Sequence, residues 1–167
     1  FNLKITNQRT GSELYNGSYT NQLIPASAGR YEIEATHGGD SVLALDAPYY
    51  KGTAEADLAD GESKTVNVKC KVANALASVV FSDGGALKFE DQFSECELNV
   101  LVAGNSALID GVKSAYYRAG STPTFEFRGT LKDSGEEVVQ TLTNAKLEDP
   151  ATFAAGAHCV ITLKIGA

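Results

Sequence analysis

The sequence predicts an all-β protein built of antiparallel β-sandwich domains, two of them in tandem. Three observations carry that reading. Apolar residues recur with period two in four separate segments, glycine-containing reversals separate successive strand-like runs, and no long run places apolar residues at i, i+3, i+4 and i+7.

Taken in order, a first strand is expected at 2–6. In "YEIEATHG" Tyr31, Ile33 and Ala35 alternate with Glu32 and Glu34, the pattern of a strand with one buried face at 31–36. Strands at 53–58 and 64–72 flank Asp60-Gly61; in the second, Val66, Val68, Cys70 and Val72 share one face while Asn67, Lys69 and Lys71 share the other. Asp83-Gly84-Gly85 separates 76–82 from 86–90, and Asp133-Ser134-Gly135 separates 123–131 from 137–143. Glycine supplies the positive φ that tight reversals need, so these pairs should be antiparallel hairpins. Between them lie strands at 95–103, where Cys96, Leu98, Val100 and Val102 alternate, and at 107–110 and 114–118. The best helix candidate is "EDPATFAAGAH", a turn or two with Asp149 as cap and Pro150 at the first helical position, before a last strand at 158–165. About twelve strands overfill one seven-stranded sandwich and fit two small ones. Alternation lapses at Ala73-Asn74-Ala75, which places the domains at 1–73 and 74–167.

Lysine and arginine total 14 against 21 aspartates and glutamates, a formal charge of −7 that repels phosphate backbones and excludes nucleic acid as the expected partner. No segment reaches the roughly 20 apolar residues of a membrane-spanning helix. The start "FNLKITNQ" has no methionine, basic region or apolar region, so any export signal or lipid anchor is expected upstream of it. Cys70, Cys96 and Cys159 stand far apart, with only His37 and His158 to complete a zinc site, so no structural metal is expected. The cysteines read as compact buried hydrophobes, with one disulfide among them left open.

No catalytic constellation emerges. His37 lies in a "THGGD" turn without a nucleophile elbow, and the carboxylate pairs Glu32/Glu34 and Glu95/Glu97 fall on the polar faces of strands. None of the acidic turns follows the calcium-loop pattern, and no cofactor is expected. Two aromatic pairs remain, Tyr49/Tyr50 and Tyr116/Tyr117, each followed by a cation and a glycine. Neighbours on a strand point to opposite faces, so one ring of each pair should enter the core. Tyr50 and Tyr117 are the rings expected to be free for a ligand or partner.

The order of these segments resembles a family of fimbrillin-like exported lipoproteins of Bacteroidetes, catalogued as a domain of unknown function. Gly29, Tyr31, Ile33 and Ala35 match its glycine and Tyr-x-Val/Ile-x-Ala strand, Pro48, Tyr49 and Gly52 its P-Y-x-G segment, and Val66, Val68, Cys70, Ala73 and Asn74 its V-x-V-x-C strand. "FEDQF", "SAYYRAG" and "GAHCVITLKI" are similar to its second half, while its lipobox cysteine and signal peptide do not occur in these residues. The resemblance implies two tandem transthyretin-like sandwiches, display on the outer membrane as a lipoprotein, and kinship with pilus and adhesion proteins, some of which assemble by strand donation. It carries no catalytic residues. The expected function is that of a non-enzymatic adhesin or pilus-associated subunit with pilus proteins, other surface proteins, host proteins or host glycans as partners. The alternative is a carbohydrate-binding module using exposed tyrosines.

Overall fold

The structure, a computed structural model, describes residues 1–166. It is all-β. In chain order the strands are β1 (Asn2–Asn7), β2 (Glu13–Ser18), β3 (Gly29–His37), β4 (Leu43–Leu45), β5 (Tyr50–Leu58), β6 (Lys71–Val72) and β7 (Asn74–Phe81). After the short helix α1 (Phe89–Gln92) come β8 (Phe93–Val102), β9 (Asn105–Ile109), β10 (Ala115–Arg118), β11 (Thr124–Leu131) and β12 (Glu137–Thr141). A second short helix, α2 (Ala145–Glu148), and a 3₁₀ turn (Pro150–Phe153) lead to β13 (His158–Leu163). The chain divides into two compact units: one holds Phe1–Gly39 and Tyr49–Ala73, the other Asp40–Pro48 and the residues from Asn74 on. The segment 40–48, expected within the amino-terminal domain, thus belongs with the second unit, because β4 pairs with β10 there (Ala115↔Leu45, Tyr117↔Leu43).

The first unit is a single five-stranded sheet in the order β2-β1-β3-β5-β6. On its central strand the expected alternation is seen directly: Tyr31, Ile33 and Ala35 are buried, and Arg30, Glu32, Thr36 and their neighbours face outward or stay half-covered. The outward face is polar and carries ion pairs, Lys51 with Glu34 at 3.7 Å, Arg30 with Glu55 at 2.9 Å and with Asp57 at 3.7 Å. Exposed pairs of this kind each contribute about 0–1 kcal/mol, so the inward apolar face has to stabilise the sheet.

Over that inward face the second layer is not a sheet. The run 64–72, expected as a strand, has the expected alternation, with Val66, Val68 and Cys70 half-buried and Asn67 and Lys69 exposed, yet only Lys71 and Val72 pair with β5. Asp60-Gly61 turns the chain as expected, with φ 72° at Gly61. The arms then separate because the returning chain steps onto the inner face: a Cβ at Gly52 would stand 2.2 Å from the Lys69 carbonyl oxygen, so only glycine admits the crossing.

The second unit has two four-stranded sheets, β13-β7-β10-β4 and β12-β11-β8-β9. Ala75, Ala77, Val79, Tyr117 and Ile161 from the first and Leu98, Val100, Val102, Ile109 and Phe125 from the second form one core, with Phe153 added from the 3₁₀ turn. The hairpin at Asp133-Ser134-Gly135 forms as expected, with Thr130 opposite Glu137 and Gly135 at φ 71°. Two expectations fail. β13 runs parallel to β7, Cys159 opposite Ala77 and Ile161 opposite Val79, so the sheets are not wholly antiparallel. Residues 86–90 form no strand beyond a bridge from Leu87 to Ile165; Phe89 instead starts α1 and buries its ring against Phe81 at 5.2 Å. The helix candidate is a 3₁₀ turn with Pro150 at its start, and the Asp149 side chain accepts from the Ala151 N–H at 3.0 Å.

Candidate functional site

The inward face of the first unit carries a groove of about 1230 Å³. Its floor comes from three adjacent strands: Leu3 and Ile5 on β1, Ile33 on β3, Ala56 and Leu58 on β5. The register sets Ile5 opposite Ile33 and Ile33 opposite Ala54, so these side chains lie in rows across the sheet rather than scattered along it. One wall is the segment 19–26 and the other the segment 61–68 with Cys70. At the mouth stand Phe1, Tyr19 and Leu23, which are 59%, 65% and 78% exposed. Large apolar side chains gathered at the rim of an apolar trough mark a binding surface more than scattered exposure does.

The walls have unmet backbone capacity. Among the described residues, 65–68 make no hydrogen bond, although Val66 and Val68 turn toward the groove as strand residues would. On β5 the edge away from β3 is paired only at Tyr50 and Lys51; beyond them the Asp57 carbonyl accepts from the Lys64 ammonium at 2.6 Å. Backbone N–H and C=O groups seek partners, and an extended chain laid beside such a segment supplies them. The open edges of this unit are therefore β2 and the outer half of β5, while β1 is flanked on both sides.

The two tyrosines singled out in the sequence separate. Tyr50 is half-buried at the start of β5 and ends a row of rings: Phe1, just before β1, to His37 at the end of β3 at 5.0 Å, and His37 to Tyr50 at 6.2 Å. Tyr117 is fully buried and cannot be a contact residue. Its ring meets Phe153 edge-on at 5.9 Å, and it is Tyr116 that lies on the outer face. The phase was present in the sequence: Ala115 shares the face of Tyr117, whereas Ser114, Tyr116 and Arg118 share the other.

The Tyr117 hydroxyl is buried without a hydrogen-bond partner. Burial first, and the Cys159 thiol second, push its phenol well above the ordinary range. Folding thus holds a proton that the unfolded chain releases above about pH 10, so stability is intact below that pH and falls as pH rises past it. The loss should approach about 1.4 kcal/mol per pH unit in urea melts of the wild type, and Tyr117→Phe should flatten that component of the curve.

His37 has aromatic neighbours, Phe1 and Tyr50, and is exposed. His158 meets Ser78 across the parallel pair, Nε2 to Oγ 2.7 Å, on an exposed face. No group of three metal-ligating side chains forms among the described residues. The three cysteines are unpaired and half-buried, and burial pushes the thiols of Cys96 and Cys159 up. On the polar face of the first unit a hydrogen bond from Gln8 and the Arg30 guanidinium hold the Glu55 carboxyl below its usual range. The groove itself was missed by sequence reading, since its floor residues register only as core and its mouth lies in a run without strand periodicity.

The model of a family described as "Domain of unknown function (DUF4493)" matches residues 1–167. No curated protein and no solved structure matches the chain.

Proposed function

The chain belongs to the DUF4493 family, and from that premise we propose that it is a non-enzymatic cell-surface protein of the fimbrillin-like kind, an adhesin or pilus-associated subunit exported to the outer membrane. In this reading the second unit is a transthyretin-like sandwich domain, and the first, a single sheet with an open inner face, becomes one when an extended strand from a partner protein of the same surface assembly completes it. The observation that supports it is the groove of the first unit: an apolar floor in strand register, lined on one side by the unpaired backbone of 65–68. A partner segment with apolar residues at every second position would bury them against Leu3, Ile5 and Ile33 while its backbone pairs with that wall. The acidic chain, at −7, favours a segment whose outward residues are basic.

A fluorescent synthetic peptide alternating valine and lysine tests this directly, with a peptide of the same composition but clustered valines as control. Saturable binding of the alternating peptide, about tenfold weaker in Leu23→Asp and unchanged in Glu32→Ala, is the expected result. Leu23 is so exposed that its replacement leaves the fold intact, and Glu32 lies on the opposite face. Equal binding of both peptides, or equal binding by both variants, would remove the groove as the acceptor.

A further inference from the structure

β5 and β6 are the arms of a hairpin closed over only two residue pairs, Tyr50↔Val72 and Lys51↔Lys71. Carried on without a slip, that register would set Gly52 against Cys70, Ala54 against Val68 and Ala56 against Val66, around a loop centred on Gly61. The outward partners would be Thr53 with Lys69, Glu55 with Asn67 and Asp57 with Thr65. Val66, Val68, Cys70 and Val72 would then share the inner face of the sheet, and Thr65, Asn67, Lys69 and Lys71 the outer face. A one-residue slip would reverse all of them, and the two pairs already formed at Tyr50 and Lys51 set the starting point, so this continuation is the one that agrees with both.

The structure shows the same arm out of that register. At Lys69-Cys70 the backbone lies on the groove side of Gly52, the Cys70 thiol reaches the Ala35 carbonyl at 3.7 Å, and 65–68 are left without backbone partners beside a β5 edge that is also unpaired. Two complementary segments of one hairpin, both without backbone partners on their facing edges, define an alternative pairing. We propose that 62–70 is a strap with two positions: laid over the inner face, where it walls the groove, and zipped onto β5 as the continuation of β6. Zipping covers the open edge of β5 and moves the edge of the sheet onto the returning arm, whose outer-face residues include Lys69 and Lys71. It also pairs the backbone of Thr65, Asn67 and Lys69 with β5, leaves that of Val66 and Val68 on the new outer edge, and takes away one wall of the groove. The regulatory meaning rests on the groove being a strand acceptor: the strap position is receptive, the zipped one is not, and an arriving strand draws the population toward the strap.

The switch can be read on the isolated chain, without any partner. Gly52→Val puts a side chain where the strap crosses and leaves the zipped register free, so hydrogen exchange of the Thr65, Asn67 and Lys69 amides within 62–70 should slow roughly tenfold or more while β3 keeps its wild-type protection. Unchanged exchange in 62–70 with β3 protected overturns the proposal. Should the valine unfold the sheet, a second variant decides: Glu55→Cys with Asn67→Cys in a Cys70→Ala background. Opposed residues of an antiparallel pair have Cα atoms about 4.5–5.5 Å apart, within disulfide range. Quantitative intramolecular oxidation that protects the amides of Thr65, position 67 and Lys69 is the expected result; failure to oxidise, or oxidation that leaves those amides fast, overturns it. Neither readout uses a peptide, so its failure leaves strand capture standing, and a failed peptide titration leaves the switch standing.

Discussion

Replacing Phe125 by alanine should lower the stability of the second unit by about 3–5 kcal/mol, read as a shift of its transition in urea. Phe125 is 1% exposed on the inner face of β11, and its ring lies 6.2 Å from that of Phe153, which in turn meets Tyr117. The three rings come from β11, from the 3₁₀ turn and from β10, so a truncation at the centre leaves a cavity that neither sheet can close alone. A domain of this size has about 5–15 kcal/mol in hand, so the variant should be folded at room temperature but marginal on warming. Val112→Ala, at a position 88% exposed, should move the same transition by less than about 0.5 kcal/mol. Equal effects at the two positions would mean that the aromatic trio is not the core it looks to be.

The parts of this fold legible in the sequence are those where one face of a strand is buried and the other wet. β11 and β13 fall within the expected ranges, and β3, β7 and β8 overlap theirs but begin about two residues earlier; on β3 Tyr31, Ile33 and Ala35 alternate against Glu32 and Glu34, and on β8 Leu98, Val100 and Val102 are buried as expected while Asn99 between them is buried as well. β2 was not foreseen: "ELYNGS" mixes polar and apolar residues without period, and Tyr15 and Gly17 are only half-covered. β4 is three residues long, too short to show a period. The run 64–72 shows the limit most clearly. Its alternation correctly tells which side chains turn inward, but a period of two says nothing about whether the backbone finds a neighbour, and a single close approach at Gly52 diverts the chain. The parallel pairing of β13 with β7 lay beyond reach for a related reason, since turn residues specify only sequential neighbours and these strands are joined by more than half the second unit. Gly85 offers a local counterpart: a Cβ there would meet the Ile165 carbonyl oxygen at 2.4 Å, so the reversal read as a simple turn is also the point where the end of the chain packs.

An aspartate at Ile33 should unfold the first unit while sparing the second. Tyr31, Ile33 and Ala35 are the buried apolar side chains of that unit, all on β3, so its stability is concentrated on one strand. Ile33 sits at the middle of the groove floor between Ile5 and Ala54, and the cations nearest in register, Lys4, Arg30 and Lys51, occupy the opposite face. A carboxylate there loses water without gaining a partner, at a cost of about 3 kcal/mol or more. Burial would raise its pKa above the unfolded value, so the sheet should recover stability as pH falls and the group takes up a proton, and lose it as pH rises through the shifted value. Hydrogen exchange resolves the outcome by segment: at neutral pH protection should vanish from β1, β3 and β5 and persist in β7, β8 and β11. Glu32→Ala, one residue away on the wet face, should change neither set. Wild-type protection of β3 in Ile33→Asp at neutral pH would mean that water already reaches the floor, and a wet floor could not hold the apolar side chains of an incoming strand.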